Sequence, residues 1–283
     1  MIASGSSGIL LTDLTTGSSL VSSLPSGSSI FSVAELNQNT LLLGTNNGHV
    51  YELNQSGQIS LFASVASGNQ VESIQADTNG NVFVTTTSNS TGAWQSTIGE
   101  YSSTGTLTRT ISSNVNEVFT ALSPYEGMIY GVYGSATPGI LAINVSTGAS
   151  SILPGATSST GPQSIAVEPN GNLFVTSGST SYLVNPSTGA VLSQSSTITT
   201  QMDGNLAINA TGSSVYGTTF SNVYQYSTSG NLQNTYTPPT GQFYYDVAVI
   251  GGQNAIVAAP EPASAVLLLG MLGMLALVKR KHA

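Results

Sequence analysis

Glu72, Asp203 and Asp246 each stand immediately ahead of a short run of small and apolar residues, and Glu117 stands two residues ahead of another. If those runs are strands whose starts converge, the carboxylates meet at one mouth. Carboxylates and amides are suitable ligands for Ca²⁺, so Glu72, Asp203 and Asp246 form a candidate divalent-cation site. The competing reading is of solvated loop acids. Other chemistry is sparse. The chain has no cysteine, which removes disulfides, thiol catalysis and thiolate metal sites together. His49 and His282 are the only histidines, so a His-rich metal site is excluded and a His-based triad would depend on one residue. His49, beside Gly48 in a loop entering a strand, reads as a surface residue. No Gly-x-Ser-x-Gly sits at a strand-to-helix elbow, and GSSG near the start lacks the Lys and helix of a phosphate loop. No catalytic residue is assigned.

Charge narrows the partners further. Only 6% of the 283 residues are charged, where about 25% is usual, and polarity comes from Ser, Thr, Asn, Gln and Gly. Arg109 is the only basic side chain before residue 260, against eleven acids from Asp13 to Asp246. Nucleic acid, which demands Lys and Arg to displace counterions, is excluded as a partner.

The elements that would hold the acids repeat along the chain. SIQADTNGNVFVTT from Ser73 and SIAVEPNGNLFVTS from Ser164 are near copies: an apolar strand, an Asn/Gly turn and a second strand. Weaker copies start at Ser32, Thr120, Asn205 and Asp246, with turns at Asn39, Gly80, Gly127, Gly171, Gly212 and Gly252 spaced 40 to 47 residues apart. A second hairpin class, such as ILAINVSTGASSIL and SYLVNPSTGAVLSQ, has turn glycines at Gly17, Gly57, Gly105, Gly148, Gly189 and Gly230, spaced 40 to 48 apart. Gly and Asn accept the positive φ of tight hairpins, and the flanks alternate apolar and polar with period two. Two hairpins per period make a four-stranded blade, and radial repetition of blades makes a β-propeller.

The ends carry one orphan hairpin each, Ile9 to Leu24 and Asp246 to Val257. Joined, they would form a sixth blade and close the ring. The expected fold is thus all-β, a six-bladed β-propeller over residues 9–257 closed by its N- and C-terminal hairpins, after a short segment 1–8. The NGN[VL]FVT pattern resembles NHL, gluconolactonase-like and YVTN-type propellers, whereas Trp-Asp and kelch signatures are absent and Trp94 is the only tryptophan. That resemblance keeps open a propeller enzyme of lactonase or lyase type with a bound cation, although no catalytic set transfers residue by residue. The tyrosines of the second half, among them Tyr125, Tyr130, Tyr133, Tyr216, Tyr224 and Tyr226, could stack on polysaccharide. At strand positions they are expected mainly to fill the spaces between blades.

After Ala259 the texture changes to PEPASAVLLLGMLGMLALVKRKHA. Residues 263–278 are uncharged and, as a helix, would span about 24 Å, with the basic cluster Lys279, Arg280 and Lys281 able to snorkel. The positive-inside rule keeps that cluster cytoplasmic and places the base-poor body on the far side. The tail, residues 258–283, resembles the PEP-CTERM sorting signal: Pro260, Glu261 and Pro262, a hydrophobic helix, then the basic stop cluster. The resemblance implies an exosortase-type processing enzyme as partner, transient inner-membrane anchoring, and delivery to the cell envelope or extracellular matrix. Exopolysaccharide or other envelope proteins would be the later partners. Met1 to Gly5 lacks the basic and apolar regions of a signal peptide, so a leader is expected upstream. The expected function is a noncatalytic exported envelope or matrix protein, with Ca²⁺ the one cofactor to test.

Overall fold

The protein's structure, a computed structural model, describes residues 2–5, 8–12, 19–65, 69–88, 95–111, 118–134, 138–153, 161–196, 198, 202, 205–219, 221–237 and 246–249. Among the described residues every regular element is a strand. The first three, β1 (Ile2–Gly5), β2 (Gly8–Thr12) and β3 (Ser19–Ser22), form a three-stranded antiparallel sheet in the order β1-β2-β3. Five four-stranded antiparallel sheets follow, each built from strands in simple succession.

The first blade holds β4 (Ile30–Asn37), β5 (Thr40–Thr45), β6 (His49–Asn54) and β7 (Ile59–Ser64). The second holds β8 (Gln70–Ala76), β9 (Val82–Ser88), β10 (Gln95–Tyr101) and β11 (Leu107–Ile111). In the third are β12 (Val118–Tyr125), β13 (Met128–Gly134), β14 (Gly139–Asn144) and β15 (Ser150–Ile152). The fourth contains β16 (Ser164–Val167), β17 (Leu173–Ser177), β18 (Thr180–Val184) and β19 (Val191–Ser195). The fifth contains β20 (Ala207–Ile208), β21 (Ser214–Thr218), β22 (Val223–Ser227) and β23 (Leu232–Tyr236). First strands of successive blades touch one another, β4 with β8, β8 with β12, β12 with β16 and β16 with β20, so they are the inner strands of a ring. The architecture is an all-β, five-bladed propeller.

Turn chemistry sets the hairpins. In the third blade Tyr125 pairs directly with Met128, leaving a two-residue turn of Glu126 at φ 47° and Gly127 at φ 78°. Both residues are left-handed, which matches the right-handed twist of the strands and costs Glu126 some strain. Gly105, at φ 79°, is required twice over: a Cβ there would also collide with the carbonyl oxygen of Phe62 on the first blade.

Alternation then puts one face of each blade against the next. Ala34, Leu42, Val50 and Phe62 of the first pack on Ile74, Val82, Val84 and Tyr101 of the second. Phe83, Ile98 and Ile111 meet Leu122, Ile129 and Leu141, and Val132, Ile140 and Ala142 meet Ile165, Leu173 and Val175. Phe174 packs with Val215, Tyr224 and Tyr226. Each fully buried aliphatic or Phe side chain contributes about 1.5–3 kcal/mol, so the stability of the ring lies between its blades.

The expected sixth blade is not formed. Ile2 to Gly5 occupies the ladder edge of β2, with Ile2 opposite Leu11 and Gly5 opposite Gly8, and Asp246 to Val249 belongs to no ladder. The edge of β2 opposite β3 is thus taken by β1, its neighbour in sequence. Residues 250–257 lie outside the described residues. Asp246 to Val249 instead joins the ends of the ring: Val247 packs with Val223 of the fifth blade, and Ala248 with Ile30, Val33 and Leu41 of the first. No helix among the described residues is long and apolar enough to cross a membrane. Residues 263–278, the Pro260–Glu261–Pro262 motif and the Lys279–Arg280–Lys281 cluster lie outside the described residues.

Candidate functional site

An inner strand has a ladder partner on one side only, so half of its amides face the channel and must find acceptors there. The position immediately before the apolar Val33, Ile74, Leu122, Ile165, Leu206 and Val247 supplies them. It carries Ser32, Ser73, Ala121, Ser164, Asn205 and Asp246, all buried. Asp246 Oδ2 accepts the Val33 amide at 2.8 Å and the Asn205 Nδ2 proton at 3.0 Å, while Oδ1 accepts the Val247 amide at 2.8 Å. Asn205 Oδ1 in turn accepts from Ser73 Oγ at 2.9 Å, and Ser73 Oγ accepts from the Leu122 amide at 3.2 Å. Ser32 Oγ donates to the Val71 carbonyl at 3.2 Å, and at another level the Val167 amide donates to Ser123 Oγ at 3.0 Å.

These bonds make a polar chain that runs from the first blade through Asp246 to the fifth, then to the second and third. Burial pushes the Asp246 carboxyl up to about 7, against the opposing pull of the Asn205 side chain and of the Val33, Val247 and Asn205 amides. Every group on this carboxyl is a donor, and a carboxylate offers about four lone-pair sites. Its acceptor capacity is therefore spent on the protein. Next to it, Ala34, Glu35, Gln75, Ser123, Ala166 and Ile208 line a cavity of about 30 Å³. That is water-sized and far below the roughly 300 Å³ at which small-molecule sites begin.

The other acids of the candidate cation site are placed differently. Glu72 sits at the bulge of β8, where Val71 and Ser73 bracket a register shift. Burial raises its carboxyl above the usual range, while Gln70 and Thr87 hydrogen-bond to it and pull it back. Asp203 and Glu117 lie outside the described residues, so the three-residue site is seen only in part. Among the described residues no three His, Cys, Asp or Glu are gathered as a metal would need. His49 stacks on Tyr51 with ring centroids 5.9 Å apart, and its Nδ1 lies 3.2 Å from Asn47 Oδ1. Tyr130, Tyr133, Tyr224 and Tyr226 are buried between blades, as their strand positions imply, and Tyr125 and Tyr216 are partly buried.

Sequence reasoning missed the belt. Its signal was present, since Ser, Ser, Ser, Asn and Asp recur at one repeat position, but only the ring shows that they share a level and bond across it.

Solved structures resemble the chain over most of its length. A protein of unknown function from Bacteroides caccae is 14% identical with a TM-score of 0.65, over 87% of this chain and 97% of that one. A chain of a nidogen/laminin complex is 15% identical with a TM-score of 0.69, over 87% and 96%. The fold is a β-propeller. A chain of a mitotic checkpoint complex is more distant, 14% identical with a TM-score of 0.54 over 78% of this chain and 80% of its own. Identities this low establish fold alone. No family model matches the chain and no curated protein matches it, so the likeness of its tail to a sorting signal rests on residues 260–281 themselves.

Proposed function

We propose that this protein is a noncatalytic component of the cell envelope or extracellular matrix, in which the propeller is a binding or structural domain and the tail is a sorting segment. The observation that carries the reading is the charge distribution around the apolar stretch 263–278: Lys279, Arg280 and Lys281 follow it, while Arg109 is the only base before residue 260. A basic cluster is retained on the cytoplasmic side of a membrane and a base-poor body is readily translocated. Pro260, Glu261 and Pro262 would then mark where an exosortase-type enzyme acts.

A noncatalytic reading is supported by the Asp246 carboxylate, which is taken up by protein donors, and by the water-sized cavity beside it. A binding role is supported by two of the structural neighbours, which come from protein complexes. Fractionation of the native host with intact-mass analysis tests the proposal. The expected result is protein in the envelope or matrix fraction, shortened by the mass of the tail. Full-length protein confined to the cytosol overturns it. The enzyme alternative predicts a cation-dependent melting temperature, so an unchanged value at millimolar Ca²⁺ counts against it.

A further inference from the structure

Between the first and second blades lies a cleft of about 300 Å³, at the size where small-molecule sites begin. Its origin can be read from strand register. In the second blade Gly99 of β10 stands between Val84 and Thr110. The matching place in the third strand of the other blades is held by Tyr51, between Leu43 and Leu61, and by Leu141, between Gly131 and Ile152. In the last two it is Tyr182, between Val175 and Gln194, and Tyr224, between Gly217 and Thr235. All four of these large side chains are packed against a neighbouring element. The second blade alone has none at this place, and the ring of Tyr101 and the side chain of Leu107 cover part of the space instead. Tyr101 leans over the gap, since a Cβ on Gly99 would lie 2.8 Å from Tyr101 Cε2.

The chemistry of the lining is one-sided. The hydroxyl-bearing residues Ser64, Thr86, Thr97, Tyr101 and Thr110 line it together with apolar Val65, Val84 and Leu107, and no acid or base takes part. A charged ligand would lose hydration with no counter-charge to replace it. A purely apolar ligand would strip water from the hydroxyls and leave them unpaired. A neutral ring carrying hydroxyls on its edge and C–H groups on its faces satisfies both halves of the wall.

We propose that the cleft between the first and second blades, lined by Gly99 where the other blades carry a large side chain, binds one neutral hexose unit. The assignment builds on the reading of the propeller as a noncatalytic binding domain, and not on the export of the chain. The test is a titration of the full chain with glucose, galactose and mannose, followed by amide shifts at Thr97, Gly99 and Thr110, with glucuronate and glucosamine as charged probes. At least one neutral hexose is expected to shift those amides saturably at millimolar concentration, and the charged probes are not. T110Y fills the mouth from an exposed outer-strand position and should abolish the shifts at unchanged melting temperature. T97V, which removes a hydroxyl without changing shape, should weaken binding about 3- to 10-fold. Absence of hexose shifts, equal response to charged sugars, or undiminished binding by T110Y overturns the assignment. Failure here leaves the fractionation result standing, and a cytosolic protein that binds hexose would overturn the export reading alone.

Discussion

Asp246 holds the ends of the ring together through one carboxyl group, and its ionisation has a predictable effect. The folded carboxyl is raised from 3.8 to about 7 by burial, so in the window between those values the unfolded chain gives up its proton first. The stability that Asp246 contributes is then full below about pH 4 and is lost as pH rises through 7. Glu72 and Glu168, also raised by burial, add to the same slope. Melting curves from pH 4 to 8 should show this decline, and D246N should flatten it; a wild-type melting temperature that rises over this range would refute the assignment. D246A leaves the Val33 amide, Val247 amide and Asn205 side chain without their acceptor, at a cost of about 3 kcal/mol. Thr85 and Thr176 give the opposite case. Their buried hydroxyls have no hydrogen-bond partner, and they occupy the same place in the two NGN[VL]FVT copies. Valine keeps their shape, so T85V and T176V should each raise stability by about 1 kcal/mol in urea unfolding. A loss in both would mean that the hydroxyls are satisfied in solution.

At the scale of the element, the outermost strands are the exposed part of each blade. Leu61 on β7, Leu107 on β11, Ile152 on β15, Val191 and Leu192 on β19 and Leu232 on β23 are all exposed. Edge strands in other proteins are commonly guarded by lysine, and the body of this chain has none before residue 260. Arg109 on β11 is instead tied down, bonding Glu100 at 2.7 Å and the Ser146 carbonyl of the third blade at 2.9 Å. L192K and L232K should lower concentration-dependent light scattering, with stability changed by less than about 0.5 kcal/mol. Scattering that is unchanged in the double variant would show that the edges are not the sticky surface. These strands were legible in the sequence because a turn glycine and a period of two are local signals. Gly57, Gly80, Gly105, Gly127, Gly148, Gly171, Gly189, Gly212 and Gly230 all have positive φ, as hairpin turns require. The cleft at Gly99 was not legible, because a missing side chain matters only against its counterparts in other blades.

For the whole molecule, Asp246 to Val249 join the two ends of the ring. A chain ending at residue 259 should melt within about 1 °C of the full chain, whereas one ending at residue 245 should lose cooperative unfolding or melt about 10 °C lower. Equal melting of the two truncations would show that the ring does not need this segment. The sequence by itself determined an all-β chain of hairpins, five successive blades and their order, since each blade is contiguous and its pairings span short loops. It also determined the character of the tail through hydropathy and charge. Only the tertiary structure decided the number of blades and the means of closure. β2 pairs with Ile2–Gly5 next door, so the edge that a C-terminal hairpin would need is occupied by a local partner. What the long-range contact retained was the side chain of Asp246, whose bonds to Val33 and Asn205 join the ends of a ring that, among the described residues, no shared ladder closes.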